Sequence, residues 1–134
     1  MTTDPRDIVR GLFAAFADRD VEAAIALCDP AIDWWPEGTG ARSGRQMPYR
    51  GHEGMRLYFA DVAAVWDALA IDPGELRVAG NGVIVFGTVR GRLRGEAGVV
   101  EAPVIYVFKL QDGRLRTGRV AATAAEATAA VAAP

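Results

Sequence analysis

At 134 residues, the chain has the length of a single domain that removes roughly two-thirds of its unfolded surface from water. Its formal net charge of −2 lacks the basic excess that binds nucleic acids and anionic membranes. A single cysteine and a single histidine exclude an internal disulfide and any metal site built from several such residues. We therefore predict one domain of residues 1–134, located in the cytoplasm, with no metal, no cofactor, and neither nucleic acid nor membrane as partner.

Three helices are predicted in the first half of the chain. Asp4 followed by Pro5 is typical of a helix start, because the carboxylate caps free amides and proline fits the first helical position. Asp20 caps a second helix of residues 21–28. A third helix begins at Gly51 and ends at Pro73-Gly74. Its apolar side chains share one face of about four turns: Met55, Phe59, Val62, Trp66 and Leu69.

The other segments have strand or loop character. Residues 32–36 form a short strand rich in aromatic rings, and the Gly- and Arg-rich segment 37–50 that follows is a candidate lid. Thr123 caps a last, alanine-rich helix that runs to Val131. Four further strands are predicted between these segments, at residues 76–79, 83–94, 99–110 and 114–122.

The hairpin of residues 99–120 decides which side chains point inward. A two-residue Asp112-Gly113 turn pairs Gln111 with Arg114, whereas a three-residue turn pairs Leu110 with Arg114. We favour the three-residue turn, because the alternative brings a threonine and an arginine to the apolar face. The favoured turn gives the inner face small and aromatic residues: Val104, Tyr106, Phe108, Gly118, Val120 and Ala122.

Strand 83–94 has two unlike faces. One face is aliphatic, and the other is apolar near its start and cationic near its end. We expect the second face to line a cavity through Phe86, Thr88 and Arg90. The first face is too apolar for free solvent, so we expect a homodimer that buries this outer surface of the sheet. The outer surface comprises Val83, Val85, Val89, Val99, Ile105 and Val107.

The order of the elements, ααβαββββ with a short C-terminal helix, predicts an α+β fold. In this fold a cone-shaped, curled antiparallel sheet packs on three N-terminal helices, as in a cystatin-like roll. A cone of this kind leaves a cavity between helices and sheet.

Four segments carry a family resemblance: the 16–20 link between helices, the Asp33-Trp34 strand, the 49–54 helix start and the 107–114 hairpin. They resemble the nuclear transport factor 2 fold, and within it the SnoaL-like group with its ketosteroid isomerase, polyketide cyclase and limonene epoxide hydrolase relatives. The resemblance covers about residues 8–127. It implies the fold and no particular reaction, because this fold hosts isomerases, cyclases, hydrolases, dehydratases and plain binding domains.

The catalytic positions that the resemblance implies are occupied by other residues. The carboxylate base of ketosteroid isomerase falls at Trp35, its tyrosine donor near Leu12 and its aspartic acid donor at Tyr106. The aspartates and arginine of the epoxide hydrolases fall on glycine and valine positions. Whether the chain is an enzyme therefore stays open.

Tyr106 and Trp35 are the leading site candidates, because two polar-tipped aromatic side chains that converge on a cavity hold a flat apolar ligand and offer it a hydroxyl and an indole donor. Tyr106 is also, with His52, a candidate catalytic residue. His52 is the best available base if it points into the cavity mouth and is otherwise a surface residue at a helix start. Arg90 is a candidate for binding a negative charge of the ligand. The other expected ligand contacts are apolar, small or hydroxylated: Leu12, Phe16, Phe59, Trp66, Phe86, Thr88, Val104, Phe108, Gly118 and Val120.

Three functions are compatible with these residues. The first is a cavity that binds a small apolar or cyclic metabolite and catalyses proton transfer or water addition, as an isomerase, cyclase or hydrolase does. The second is a non-catalytic ligand-binding or accessory domain. The third is a dimerisation module with a filled core.

Overall fold

The computed structural model describes residues 4–133, in which five helices pack on the two faces of a six-stranded sheet. The helices are α1 (Pro5–Ala17), α2 (Val21–Ala26), α3 (Glu37–Arg42), α4 (Gly51–Val65) and α5 (Ala124–Ala132). The strands are β1 (Cys28–Trp35), β2 (Tyr49–Arg50), β3 (Trp66–Ala79), β4 (Gly82–Leu93), β5 (Val100–Gln111) and β6 (Arg114–Ala121). None of the helices in the described part of the chain combines the length and apolarity needed to cross a membrane.

The strand order β2-β1-β6-β5-β4-β3 gives a curled, unclosed sheet and confirms the α+β prediction. The sheet is not purely antiparallel, because β1 runs parallel to β6. This parallel pair is possible because the chain between the two strands forms the rest of the sheet before it returns beside β1.

The predicted helix starts are confirmed by their capping contacts. The Asp4 side chain accepts from the Arg6 amide at 2.9 Å, and the Asp20 side chain accepts from the Ala23 amide at 3.1 Å. Thr123 caps α5 in the same way. These caps satisfy amides that the first turn of a helix leaves without a backbone partner.

The third predicted helix is shorter than its apolar pattern indicates. Helix α4 ends at Val65, and Trp66 and Leu69 belong to β3 instead. The prediction was wrong because β3 pairs with β4 along its whole length. Strand β4 therefore provides the backbone hydrogen-bond partners that a continued helix would have provided within itself. The candidate lid at 37–50 contains the short helix α3 and the two-residue strand β2.

The hairpin turn differs from the favoured one. Asp112 and Gly113 have φ angles of 52° and 76°, and Gln111 pairs with Arg114, so the turn has two residues. Leu110 pairs with Leu115 and Lys109 with Thr117, which leaves Arg116 as an extra residue in a bulge. The bulge restores the predicted inner face.

Downstream of the bulge, Phe108 pairs with Gly118 and Tyr106 with Val120. The turn prediction was therefore wrong, whereas the inner positions predicted for Tyr106, Phe108, Gly118 and Val120 agree with the structure. The inner position predicted for Ala122 was also wrong, because β6 ends at Ala121 and Ala122 is exposed.

The two faces of β4 are the reverse of the prediction. Val83 pairs with Phe108 and Val85 with Tyr106, and paired residues share a face, so the valines are inside. Phe86, Thr88 and Arg90 point outward, which keeps the arginine in solvent. Arg90 lies opposite Glu101 on that outer face, with an N–O distance of 3.9 Å.

Helix α5 covers part of the outer face of the sheet. A second apolar cluster, separate from the main core, consists of Ile84, Val107, Ala121, Ala127 and Val131. The Lys109 ammonium group donates to the Ala133 carbonyl at the end of α5. The apolar outer face is thus partly buried by the chain itself, and it does not include Val83, Val85 or Val89, which face the interior. The homodimer stays a prediction.

Candidate functional site

Stacked aromatic rings fill the bottom of the interior. The Trp34 ring lies 5.6 Å from Phe108 with an interplanar angle of 13°, and 5.9 Å from Tyr106 at 26°. Tyr58 meets the Trp34 ring edge-on at 5.6 Å. The close approach requires glycine at 118, because a Cβ there would lie 2.6 Å from the Trp34 ring.

A small void lies beside this stack in the core. Its volume is about 20 Å³, enough for one water molecule and far too small for a metabolite. Leu12, Phe16 and Phe59 line this void, so these three predicted ligand contacts pack the core. The cavity expected between helices and sheet is filled at its bottom.

A larger cleft opens above the aromatic stack, between α3 and strands β3, β5 and β6. Its volume is about 420 Å³. Apolar side chains and two tyrosines form most of its wall, and α3 contributes one side. The side chains and backbone that line it come from Pro36, Glu37, Gly38, Thr39, Ala41, Arg42, Tyr58, Trp66, Leu69, Ile71, Val89, Ala102, Pro103, Val104, Tyr106 and Val120.

Tyr58 and Tyr106 bring two buried phenols to the wall of the cleft, with exposures of 3% and 4%. Burial raises the pKa of the Tyr106 hydroxyl and raises that of Tyr58 well above its usual range. Both phenols are therefore neutral at physiological pH. They are able to donate hydrogen bonds to a ligand oxygen and do not act as bases.

Helix α3 is held over the cleft by contacts on both sides. Trp66 Nε1 donates to Thr39 Oγ1 at 3.0 Å, and the Arg42 guanidinium lies 5.3 Å from the centre of the Trp66 ring. On the other side, a Cβ at Gly40 would lie 2.9 Å from the Trp35 ring. The short helix thus carries Arg42 and Glu37 to the rim of the cleft.

A buried carboxylate fixes the chain after α3. Asp61, which is 9% exposed, accepts from Arg45 Nε at 3.0 Å and from the Tyr49 hydroxyl at 2.6 Å. Burial by itself raises the pKa of Asp61, but these hydrogen bonds outweigh it and the pKa is lowered. Burial of the Tyr49 hydroxyl, together with its contact with Asp61, raises the pKa of Tyr49 to about 12.

The predicted site residues have separate positions in the structure. Four of them line the cleft: Tyr106, Trp66, Val104 and Val120. Phe108 and Gly118 pack beside Trp34 beneath it. Phe86, Thr88, Arg90 and Trp35 lie on the outer face.

The outward position of Trp35 corrects its predicted place in the pocket. Strand β1 buries Ile32 and Trp34 and leaves Asp33 and Trp35 half-buried, since alternate side chains of a strand point to opposite faces. Trp34 thus takes the inner position expected for Trp35. His52 lies at the start of α4, where its Nε2 is 3.0 Å from the carbonyl oxygen of Cys28. His52 is absent from the lining of the cleft.

Sequence reasoning missed Tyr58, Glu37 and Arg42. Tyr58 has a signal in the sequence, because it lies three residues after Met55 and four before Val62, the spacing of one helix face. No pattern marks Glu37 or Arg42. The segment that contains them has no apolar periodicity, and its position over the cleft depends on tertiary contacts.

Residues 9–117 match a family model described as the SnoaL-like domain. The chain belongs to this family. The match spans every helix and strand that lines the cleft except the last residues of β6. No curated protein matches this SnoaL-like domain.

Solved structures share the fold at low identity. An NTF2-like protein of unknown function from Burkholderia pseudomallei is 21% identical, with a TM-score of 0.79 over 98% of this chain and 100% of that one. TerC, crystallised with polyporic acid, is 24% identical, with a TM-score of 0.77 over 96% and 98% of the two chains. A putative polyketide cyclase from Sinorhizobium meliloti is 23% identical, with a TM-score of 0.69 over 89% and 100%.

Proposed function

We propose that this SnoaL-like domain binds a small, cyclic, largely apolar molecule whose oxygen atom accepts hydrogen bonds from Tyr58 and Tyr106. The observation that carries the proposal is the presence of both buried tyrosines in one cleft whose other lining residues are mostly apolar, with Glu37 and Arg42 at its rim. A volume of about 420 Å³ falls within the range of small-molecule sites, roughly 300–1,000 Å³. Few polar groups in an apolar wall fix the orientation of a ligand, while the wall supplies most of the affinity.

The relatives support a small organic ligand. TerC was crystallised with polyporic acid, and the Sinorhizobium meliloti protein is named a putative polyketide cyclase. Both cover most of this chain. Because their identities are below 25%, they support a ligand class only together with the cleft described above.

The proposed binding mode predicts a selective loss in Tyr106→Phe. Wild-type protein should bind 1-tetralone more tightly than tetralin, which has the same rings without the carbonyl oxygen. Loss of one hydrogen bond of about 0.5–1.5 kcal/mol should weaken 1-tetralone binding by about 2- to 10-fold in Tyr106→Phe. Tetralin binding should stay unchanged. Isothermal titration calorimetry measures both constants.

Tyr49→Phe is the matched control, because the Tyr49 hydroxyl contacts Asp61 and Tyr49 is absent from the lining of the cleft. This variant should keep the preference for the ketone even where its stability falls. Equal binding of the two probes to the wild type contradicts the proposal, as does a Tyr106→Phe variant that retains the full preference.

A catalytic role is favoured by one further observation: Glu37 is the only carboxylate among the residues of the described chain that line the cleft. In this second proposal, Glu37 accepts a proton from the carbon next to a ligand carbonyl. The C–H electron pair forms a carbon–carbon double bond while the π pair of the carbonyl moves onto its oxygen, and the resulting enolate oxygen accepts hydrogen bonds from the tyrosines. Return of the proton from Glu37 completes an isomerisation or an exchange.

Deuterium exchange separates catalysis from binding alone. In D₂O, the wild type should speed the loss of the C2 hydrogens of 1-tetralone, measured by NMR. Glu37→Gln should reduce the rate to that of buffer, because an amide does not accept the proton, and Tyr106→Phe should slow the reaction. Exchange at the buffer rate in the wild type contradicts catalysis and favours the non-catalytic binding domain.

A further inference from the structure

We infer that the cyclic ligand carries a carboxylate, which pairs with Arg42 at the rim of the cleft while the rings occupy its apolar interior. This inference rests on the proposed binding function and adds the charge of the ligand. It is carried by the position and the contacts of Arg42.

Arg42 is an arginine without a carboxylate partner in residues 4–133. Most arginines of the chain form ion pairs, whereas the Arg42 side chain donates one hydrogen bond, from Nη1 to the Gly38 carbonyl at 3.2 Å. Its guanidinium lies over the Trp66 ring, 5.3 Å from the ring centre. A guanidinium that contacts a ring through its face keeps its in-plane N–H groups available for a planar, bidentate carboxylate.

The contact between Arg42 and Trp66 also limits the positions of the guanidinium. Trp66 is 7% exposed and its Nε1 donates to Thr39, so both the ring and the helix that carries Arg42 are fixed. The cation is thereby organised before a ligand binds, which reduces the entropy lost on binding. Arg42 and Trp66 both line the cleft, so a ligand anion at the guanidinium lies at the edge of the ring-binding space.

A second cation lies near the deep end of the cleft. Arg19 has a left-handed backbone with φ of 53°, and its guanidinium donates to the carbonyl oxygens of Phe16 at 2.5 Å and Leu69 at 2.6 Å. Its charge acts to lower the pKa of Tyr58 against the larger effect of burial. Arg19 itself does not line the cleft, so Arg42 is the cation of the described chain that a ligand carboxylate meets there.

The negative charge of Glu37 should weaken the binding of a ligand carboxylate, which provides an internal check. It is five residues before Arg42 on the same helix, about 140° away around the axis, so the two side chains do not share a helix face. Glu37 and Arg42 form no ion pair with each other in the described structure. A ligand carboxylate gains attraction from Arg42 and some repulsion from Glu37, and removal of each charge should shift affinity in opposite directions.

Binding of 2-naphthoate and 2-naphthamide tests the inference, because the two probes have similar shape and differ in charge. Wild-type protein should bind the acid about tenfold more tightly than the amide at low salt, and added salt should reduce this ratio. Arg42→Gln should remove the preference, Arg42→Lys should retain part of it, and Glu37→Gln should increase it. Arg114→Gln is the matched control, since Arg114 is exposed at the turn between β5 and β6.

The outcomes separate this inference from the proposed function. If the acid and the amide bind equally well, the inference is overturned and the binding function stands. If neither these probes nor 1-tetralone bind, the proposed function itself fails. A loss of both probes by the same factor in Arg42→Gln also overturns the inference, because that result indicates a structural role for Arg42.

Discussion

Gly118→Ala is expected to lower the free energy of unfolding by about 3 kcal/mol, at the upper end of the usual cost of overpacking a core. The added Cβ would lie 2.6 Å from the Trp34 ring and 2.9 Å from the Phe108 ring. Both rings are nearly fully buried and stack on each other, so neither is free to move away without disturbing the other. Chemical denaturation followed by tryptophan fluorescence measures the change.

Gly98→Ala is the control for this substitution. No atom lies within 4 Å of a Cβ at position 98, and its φ is not in the left-handed region. The free energy of unfolding of this control should therefore lie within about 0.5 kcal/mol of the wild-type value, or slightly above it, because alanine restricts the unfolded chain. Equal stability of Gly118→Ala and Gly98→Ala would contradict the ring arrangement around Trp34.

Asp61→Ala is expected to cost about 3 kcal/mol at neutral pH, near the lower value for breaking a buried ion pair. The substitution removes the acceptor of the Tyr49 hydroxyl, which is buried and has no easy access to water. Arg45 also loses its bidentate partner, although its side chain is 36% exposed and gains hydration in return. Urea denaturation measures the loss.

Glu53→Ala on the same helix separates burial from charge. The Glu53 side chain is 92% exposed, and its contact with Arg56 is 3.6 Å long. An exposed ion pair of this kind contributes at most about 1 kcal/mol, so this variant should remain close to the wild type. If both carboxylate variants lose the same stability, the Asp61 network has no special role.

The pH dependence of stability should also change in Asp61→Ala. The folded pKa of Asp61 is lower than its unfolded pKa of about 3.9, so its stabilising effect is present above that pH. The effect disappears as the pH falls through the folded value, where the carboxylate gains a proton. We expect the wild type to lose more stability than Asp61→Ala on acidification from pH 5 to about pH 2, as measured by urea midpoints.

In the hairpin of β5 and β6, the inward residues were predicted correctly although the predicted turn length was wrong. Alternation of aromatic residues in β5 is a local property, and it correctly placed Tyr106 and Phe108 on one face. The two-residue turn would have reversed the opposite strand, but the bulge at Arg116 restores the register. Bulges of this type depend on packing between strands, and the sequence carries no mark for them.

The faces of β4 and the end of α4 show the opposite case. Both faces of β4 contain apolar residues, so the pattern alone does not say which one meets the helices. Pairing of Val85 with Tyr106 decides it. Likewise, Trp66 continues the helical apolar pattern of α4, but the long partner strand β4 makes it part of the sheet.

The sequence by itself determined the family, the α+β fold, the helix caps and the inward position of Tyr106, because these depend on local periodicity, capping chemistry and short motifs. Only the tertiary structure decided that Trp34 fills the bottom of the interior and that Tyr58, Glu37 and Arg42 border the cleft with Tyr106. The physical reason is distance along the chain. Helical spacing marks Tyr58 as an inward residue of α4, but its meeting with Glu37 and Arg42 depends on strand register and on the Thr39–Trp66 contact, which leave no pattern in the segment 37–42.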